Sequence, residues 1–179
     1  MYEIEHRALL TEEKYKELDE KLRADAECLG EDDKDVAYFI FPDKLLKVVK
    51  NISKGTAKLS LKLNTLGSGS SFREIEVDFK DSQFESLKEL CHAVSTPDQV
   101  IEGTQKRTNF MFKGVEIALK WSEDWGYHAE FEIVIDSLAS KDDADTTITN
   151  VANSLDITLM TDEEVKEFSD KVRAQKKSA

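Results

Sequence analysis

The chain has 179 residues, 37 of them acidic and 25 basic, for a net charge of −12. That length suits one domain able to bury its own core, and a composition that is 40% hydrophobic and 35% charged excludes a disordered polar chain. So acidic a chain repels nucleic-acid backbones and anionic membranes in bulk, so neither is expected as a partner. Cys28 and Cys91 are the two cysteines and form no CxxC pair, which argues against a disulfide framework or a thiolate zinc site. The opening Met1-Tyr2-Glu3 carries no basic stretch and no apolar run. No signal peptide or membrane span is expected, and the expected location is cytoplasmic.

Alternation predicts a first strand over Tyr2–Leu10. Helical periodicity follows over Glu12–Leu29, with Thr11 as cap and carboxylates just behind it. Strands are then read at Val36–Phe41, Leu45–Ile52, Ala57–Leu66 and Phe72–Phe79. A helix is read at Gln83–Ala93, then strands at Val100–Phe112, Val115–Trp121 and Tyr127–Ile135. Two further helices are read at Asp143–Leu155 and Asp162–Lys176, the second opened by a capping-box pattern, Thr161-Asp162-Glu163-Glu164. Gly67–Ser71 and the acidic Lys141–Asp145 read as connections. One domain over 1–172 is expected, with a polar tail from Arg173 to Ala179. About eight strands with short turns and a few helices predict an α+β fold, an eight-stranded antiparallel β-barrel with helices packed outside.

The distribution of charge along these strands suggests what such a barrel would enclose. Residues two apart on a strand share a face. Glu3, Glu5 and Arg7 therefore share one, as do Lys58, Ser60, Lys62 and Asn64, then Glu74, Glu76 and Asp78, and then Glu130 and Glu132. Taken singly, each is an ordinary solvated strand face. Repeated across strands, with carboxylates on some and cations on others, these faces become the lining of a tunnel if the sheet closes, and the apolar faces turn outward under the helices. Carboxylates two residues apart can hold Mg²⁺ or Mn²⁺ through hard oxygens, and Lys or Arg from other strands can hold phosphate oxygens.

These residues also resemble a known family. Glu3-Ile4-Glu5-His6-Arg7 looks like the ExExK signature of the CYTH superfamily, the triphosphate tunnel metalloenzymes. Lys62 in Leu59-Ser60-Leu61-Lys62 is similar to that family's lysine on the fourth strand. Arg73-Glu74-Ile75-Glu76-Val77 resembles its acidic fifth strand, and Gln105-Lys106-Arg107 followed by Phe110 its KxR motif with a following aromatic. Trp125 to Glu132 resembles its late G…ExE motif. The resemblance covers nearly the whole chain. It implies a triphosphate-containing small molecule as ligand, Mg²⁺ or Mn²⁺ as cofactor, and metal-dependent hydrolysis of inorganic or small organic triphosphates. Cyclisation of ATP to cyclic AMP and polyphosphate binding without turnover are the alternatives, and a homodimer is left open. By the same resemblance Glu3, Glu5, Glu130 and Glu132 are metal-side carboxylates and Arg7, Lys62 and Arg107 phosphate-side cations; Lys47, Lys50, Lys58 and Lys120 are added as candidate substrate-binding cations. Glu5, Arg7 and Glu130 are the expected catalytic set.

The chain departs from the pattern in four places. Arg7 replaces the signature lysine, and an arginine stays protonated, so it can clamp phosphate but cannot act as a base. Gln105 stands where KxR has its lysine. Lys120 stands where the seventh strand usually ends in aspartate. Lys47 and Lys50 are three apart where two arginines two apart are usual, so at most one of them faces inward. Of the remaining polar candidates, His128 shares the parity of Glu130 and can face a tunnel. His6 falls on the Ile4 face, and Cys91-His92 lies on a helix, where both read as packing; Trp121 and Trp125 flank a turn.

Overall fold

The computed structural model describes residues 2–63 and 71–177. Asn64 and nearly all of the Gly67–Ser71 loop lie outside them. In chain order the elements are β1 (Tyr2–Leu9), α1 (Glu12–Asp25), β2 (Glu27–Glu31), β3 (Lys34–Ile40), β4 (Leu45–Asn51), β5 (Thr56–Lys62), β6 (Ser71–Phe72), β7 (Glu74–Lys80), α2 (Phe84–Val94), β8 (Gln99–Phe112), β9 (Val115–Ser122), β10 (Gly126–Ile135), α3 (Lys141–Ser154) and α4 (Asp162–Lys177). The strand order is β6-β1-β10-β9-β8-β3-β4-β5-β7, with β2 added beside β8. All ten belong to one curled antiparallel sheet, eight of them besides the short β2 and β6, and the four helices pack around it, an α+β fold.

The curl follows from where the path ends. Ser71 and Phe72 pair with Ile4 and Glu3 of β1, while Glu74–Lys80 pair with β5, and only Arg73 separates the two segments. One stretch of chain therefore touches both ends of the sheet.

The inside-out polarity expected from the sequence is present. The main core lies on the convex side, where Ile4, Ala8, Phe110, Ile117, Leu119, Ala129 and Phe131 pack against Leu18 and Leu22 of α1 and Ala144, Ile148 and Val151 of α3. A second core places α2, through Phe84 and Cys91, on Ala37, Phe39 and Val48. The concave side keeps the charged residues. A sheet with its apolar face outward needs helices to shield that face from water, which gives the helices their role here.

Local differences from the sequence reading have local causes. α1 stops at Asp25 and not Leu29, because Glu27 and Cys28 pair with Met111 and Phe110 of β8. Lys141–Asp145 is no loop but the first turn of α3, a place where Asp142 and Asp143 suit the helix dipole. The polar stretch from Arg173 continues α4 through Lys177. α4 opens with the expected capping box: the Thr161 N–H donates to Glu164 Oε2 at 2.7 Å and the Glu164 N–H to Thr161 Oγ1 at 3.2 Å. Among the described residues no helix is long and apolar enough to cross a membrane.

Candidate functional site

The concave face of the sheet encloses a cavity of about 830 Å³, lined from nearly every strand. Glu3, Glu5 and Arg7 line it from β1, Lys47 from β4, Lys58 and Lys62 from β5, Arg107 from β8, Lys120 from β9, and Glu130 and Glu132 from β10. Lys50 is the exception: on β4 it is Leu45, Lys47 and Val49 that face the cavity, and the period of two puts Lys50 on the other face. Of the two lysines left open by their spacing, Lys47 is the inward one.

Three carboxylates converge at one place. Antiparallel pairing sets Glu5 directly opposite Glu132, and oxygens of Glu3, Glu5 and Glu132 lie within 4.8 Å of one another. Like charges in that position are destabilising unless a cation joins them. Lys62 offsets part of this repulsion, and protonation offsets more: burial, aided by a hydrogen bond with Glu132 and by the neighbouring carboxylates, pushes Glu3 up to about 9, and burial raises Glu132 also. Glu5 goes the other way, since Arg7 and Lys62 outweigh the burial that opposes them. The Oε1 of Glu5 contacts the Arg7 guanidinium, yet it is buried with no hydrogen-bond partner among the described residues. A converging trio of hard carboxylate oxygens fits a Mg²⁺ or Mn²⁺ ion.

Glu130 does not join that trio. It lies directly opposite Arg7 in the β1–β10 pairing. The Arg7 Nε donates to its Oε1 at 3.2 Å, the Lys120 ammonium contacts its Oε2, and Arg107 Nη1 stands 3.9 Å from the same oxygen. Burial alone would raise the pKa of Glu130, but these three cations hold it well below the carboxylate range. Burial, with Arg107 nearby, brings Lys120 down to about 8 despite the pull of Glu130.

A second cationic group lies across the cavity. Lys62 Nζ is 3.4 Å from both Glu3 Oε2 and Glu5 Oε2 and 3.8 Å from Glu74. Lys47 meets Glu74 Oε1 at 3.1 Å, and Ser60 donates to that same carboxylate. Burial would raise Glu74, but Lys47 and Lys62 bring it down to about 2, and burial plus repulsion from Lys62 takes Lys47 to about 8. Lys58 contacts Glu76.

Sequence reasoning missed a third group. Lys34 and Lys54 close on the buried Asp32 at 2.6 and 2.9 Å, with Arg107 at 3.7 Å. β3 begins at Lys34, two residues before the strand read from the sequence, so the parity of Lys34 with Val36 and Tyr38 went unused. Lys106 points away and pairs with Asp33 at 2.6 Å, while Gln105 takes the cavity position. Ser169, Val172 and Arg173 of α4 also line the cavity, and Gln99 Nε2 donates to the Arg173 carbonyl at 3.0 Å.

His128 faces the cavity as its parity allowed. Its Nδ1 donates to the Gly126 carbonyl at 3.0 Å, and burial, with Lys120 beside it, lowers it to about 4, so the ring is neutral near pH 7. Trp121 and Trp125 line the cavity at the β9–β10 turn, where Gly126 supplies the positive φ of 65°. The Arg7 guanidinium lies 5.9 Å from the Trp125 ring centroid. His6 instead turns to α3 and meets Asp145 at 2.7 Å.

No known family's sequence profile matches the chain, and no curated protein does. Its shape is found among solved structures. A protein from Pyrococcus horikoshii OT3 superposes with a TM-score of 0.72 at 22% identity, covering 91% of this chain and 99% of its own. A conserved protein from Pyrococcus furiosus gives 0.73 at 21%, covering 91% and 94%. A Hippeastrum protein, regarded as an adenylyl cyclase and found to have a dominant triphosphatase activity, gives 0.62 at 14%, covering 88% and 89%. The chain has the CYTH-type tunnel fold.

Proposed function

We propose that the protein hydrolyses inorganic or small organic triphosphates in this cavity with the help of Mg²⁺ or Mn²⁺. The observation that carries the reading is the convergence of a carboxylate trio and several cations inside one enclosure. The Glu3, Glu5 and Glu132 trio occupies one place, and Lys47, Lys62, Arg7, Arg107 and Lys120 stand around it. A polyphosphate needs both: cations on its oxygens, and an ion that carboxylates keep beside it.

In this reading Lys62 and Lys47 hold phosphate oxygens on one side, and Arg107 and Lys120 on the other. Lys58 and Lys34 extend the cationic wall. Arg7, always protonated, absorbs charge on the transferring group as water attacks in line. Glu130 orients Arg7, Lys120 and Arg107; paired with all three, it is a poor proton acceptor. Glu5 belongs to the trio that would hold the divalent ion, which would supply positive charge against the phosphate group as negative charge develops there.

A specific observation favours a second reading, binding without turnover: Arg7 occupies a position from which a lysine could have exchanged protons with water. A phosphate-release assay over tripolyphosphate and several organic triphosphates, with Mg²⁺ or Mn²⁺, separates the readings. Release from a triphosphate is the expected result. Cyclic AMP and pyrophosphate from ATP would make it a cyclase, and tight binding with no product would make it a binder.

A further inference from the structure

Four glutamates point into the cavity from β1 and β10, yet only three converge. The fourth, Glu130, is two residues from Glu132 on the same face of the same strand, close enough to have joined them. Beside it stands Lys120. That ammonium contacts Glu130 Oε2, while Arg7 takes Oε1 and Arg107 stands behind. Lys120 is itself 6% exposed and comes from β9, the strand beside β10. A buried ammonium with a buried carboxylate is a pair that neither partner can leave without stranding the other's charge.

We propose that Lys120 is a positioning residue that limits the cavity to a single divalent ion, held by Glu3, Glu5 and Glu132, by occupying Glu130 as a fixed internal cation. The site thus has one exchangeable positive centre and one built into the chain. The built-in one faces the same space, so bound phosphate oxygens meet Lys120 where a second ion would otherwise sit. Arg7 and Arg107 reinforce the arrangement: a further divalent ion at Glu130 would have to approach two guanidinium groups as well as an ammonium.

The inference rests on the metal reading above, and the test separates the two. Mn²⁺ alone is titrated into the full chain, without phosphate, by calorimetry and by electron paramagnetic resonance of the free ion. Wild type is expected to bind one ion. Glu132→Gln should lower the affinity at least tenfold and Glu130→Gln by less than threefold. Lys120→Met should gain a second ion or bind the first at least tenfold tighter, a gain that vanishes when Glu130→Gln is added and that Lys120→Arg does not show. Because these are binding measurements on proteins whose folding is checked by circular dichroism, a merely structural role for Lys120 would not produce the pattern. Two ions in wild type, equal losses in the two glutamine variants, or identical titrations of Lys120→Met and wild type would overturn the inference and leave the metal reading standing. No Mn²⁺ binding by wild type would remove both.

Discussion

Lys47 and Glu74 meet at 3.1 Å although β5 runs between their strands. Neighbouring strands lie ~4.8 Å apart, so residues two strands apart in a flat sheet are separated by ~10 Å. Their side chains meet because they share the inside of a curl. Lys62 reaching Glu3 and Glu5 from β5 is the same effect across the place where the sheet path returns to β1. Curvature therefore turns alternating charge on separate strands into a single electrostatic unit.

One consequence is a pH dependence of anion binding. Lys47 and Lys120 each lose their proton near pH 8 in the free protein. A bound polyanion favours the ammonium form and raises both values, so binding is accompanied by proton uptake above that pH. Affinity for tripolyphosphate, measured by calorimetry without metal, should be fullest below about pH 8. Above it the affinity should fall by up to about tenfold per pH unit for each group. Lys47→Arg stays charged and should flatten part of the slope. An affinity constant from pH 7 to 9.5 would sink the idea.

Glu5→Ala and Glu132→Ala test the carboxylate trio. Each should cut metal-dependent turnover by at least about 10²-fold, the scale of one lost electrostatic contact to a transition state. Their thermal midpoints should not fall for lack of the removed carboxylate alone in the case of Glu132, because it lies opposite Glu5, with which it shares a repulsion. Phosphate release and a thermal melt on the same samples check both halves. Unchanged turnover in both variants would count against the metal assignment.

The fold was legible because its charges broke the usual rule in step: Glu3 with Glu5, Lys58 with Lys62 and Glu130 with Glu132 all sit at a period of two opposite apolar residues. Parity places a side chain on a face without saying what lies across the cavity. Glu130 and Glu132 are equivalent by that criterion, and what distinguishes them is the cross-strand neighbourhood: Glu130 meets Arg7 of β1 and Lys120 of β9, whereas Glu132 stands opposite Glu5. Lys47 and Lys50 have opposite parity, but the face of β4 that turns inward is set by its pairing with β3 and β5. The end of α1 was hidden for a similar reason, since helical periodicity beyond Asp25 yields to long-range pairing with β8.

Lys50 supplies the control for Lys62. Lys62→Ala removes an ammonium placed between three carboxylates and the cavity, and a charged hydrogen bond is worth about 1.5–3 kcal/mol. Tripolyphosphate affinity by calorimetry should drop by about 10- to 100-fold. Lys50→Ala, on the other face of β4, should leave it within about twofold. Equal affinity for Lys62→Ala and wild type would take Lys62 out of the site, and a Lys50 effect as large as that of Lys62 would mean that β4 faces the other way.

The outward core makes a prediction of its own. Ile148 of α3 is fully buried against the convex side of the sheet, whereas Leu90 of α2 is 53% exposed. Truncating a buried isoleucine to alanine costs about 2–5 kcal/mol, because apolar contacts are lost and the cavity left behind closes only in part. Ile148→Ala should therefore lower the thermal midpoint by roughly 5–15 °C for a domain of this size. Leu90→Ala should shift it by no more than about 2 °C. A conventional barrel, with its apolar side chains on the inside, would tolerate changes on its surrounding helices far better. If Ile148→Ala melts with wild type, the helices are not what stabilises this sheet, and the placement of its polar face toward the cavity fails with them.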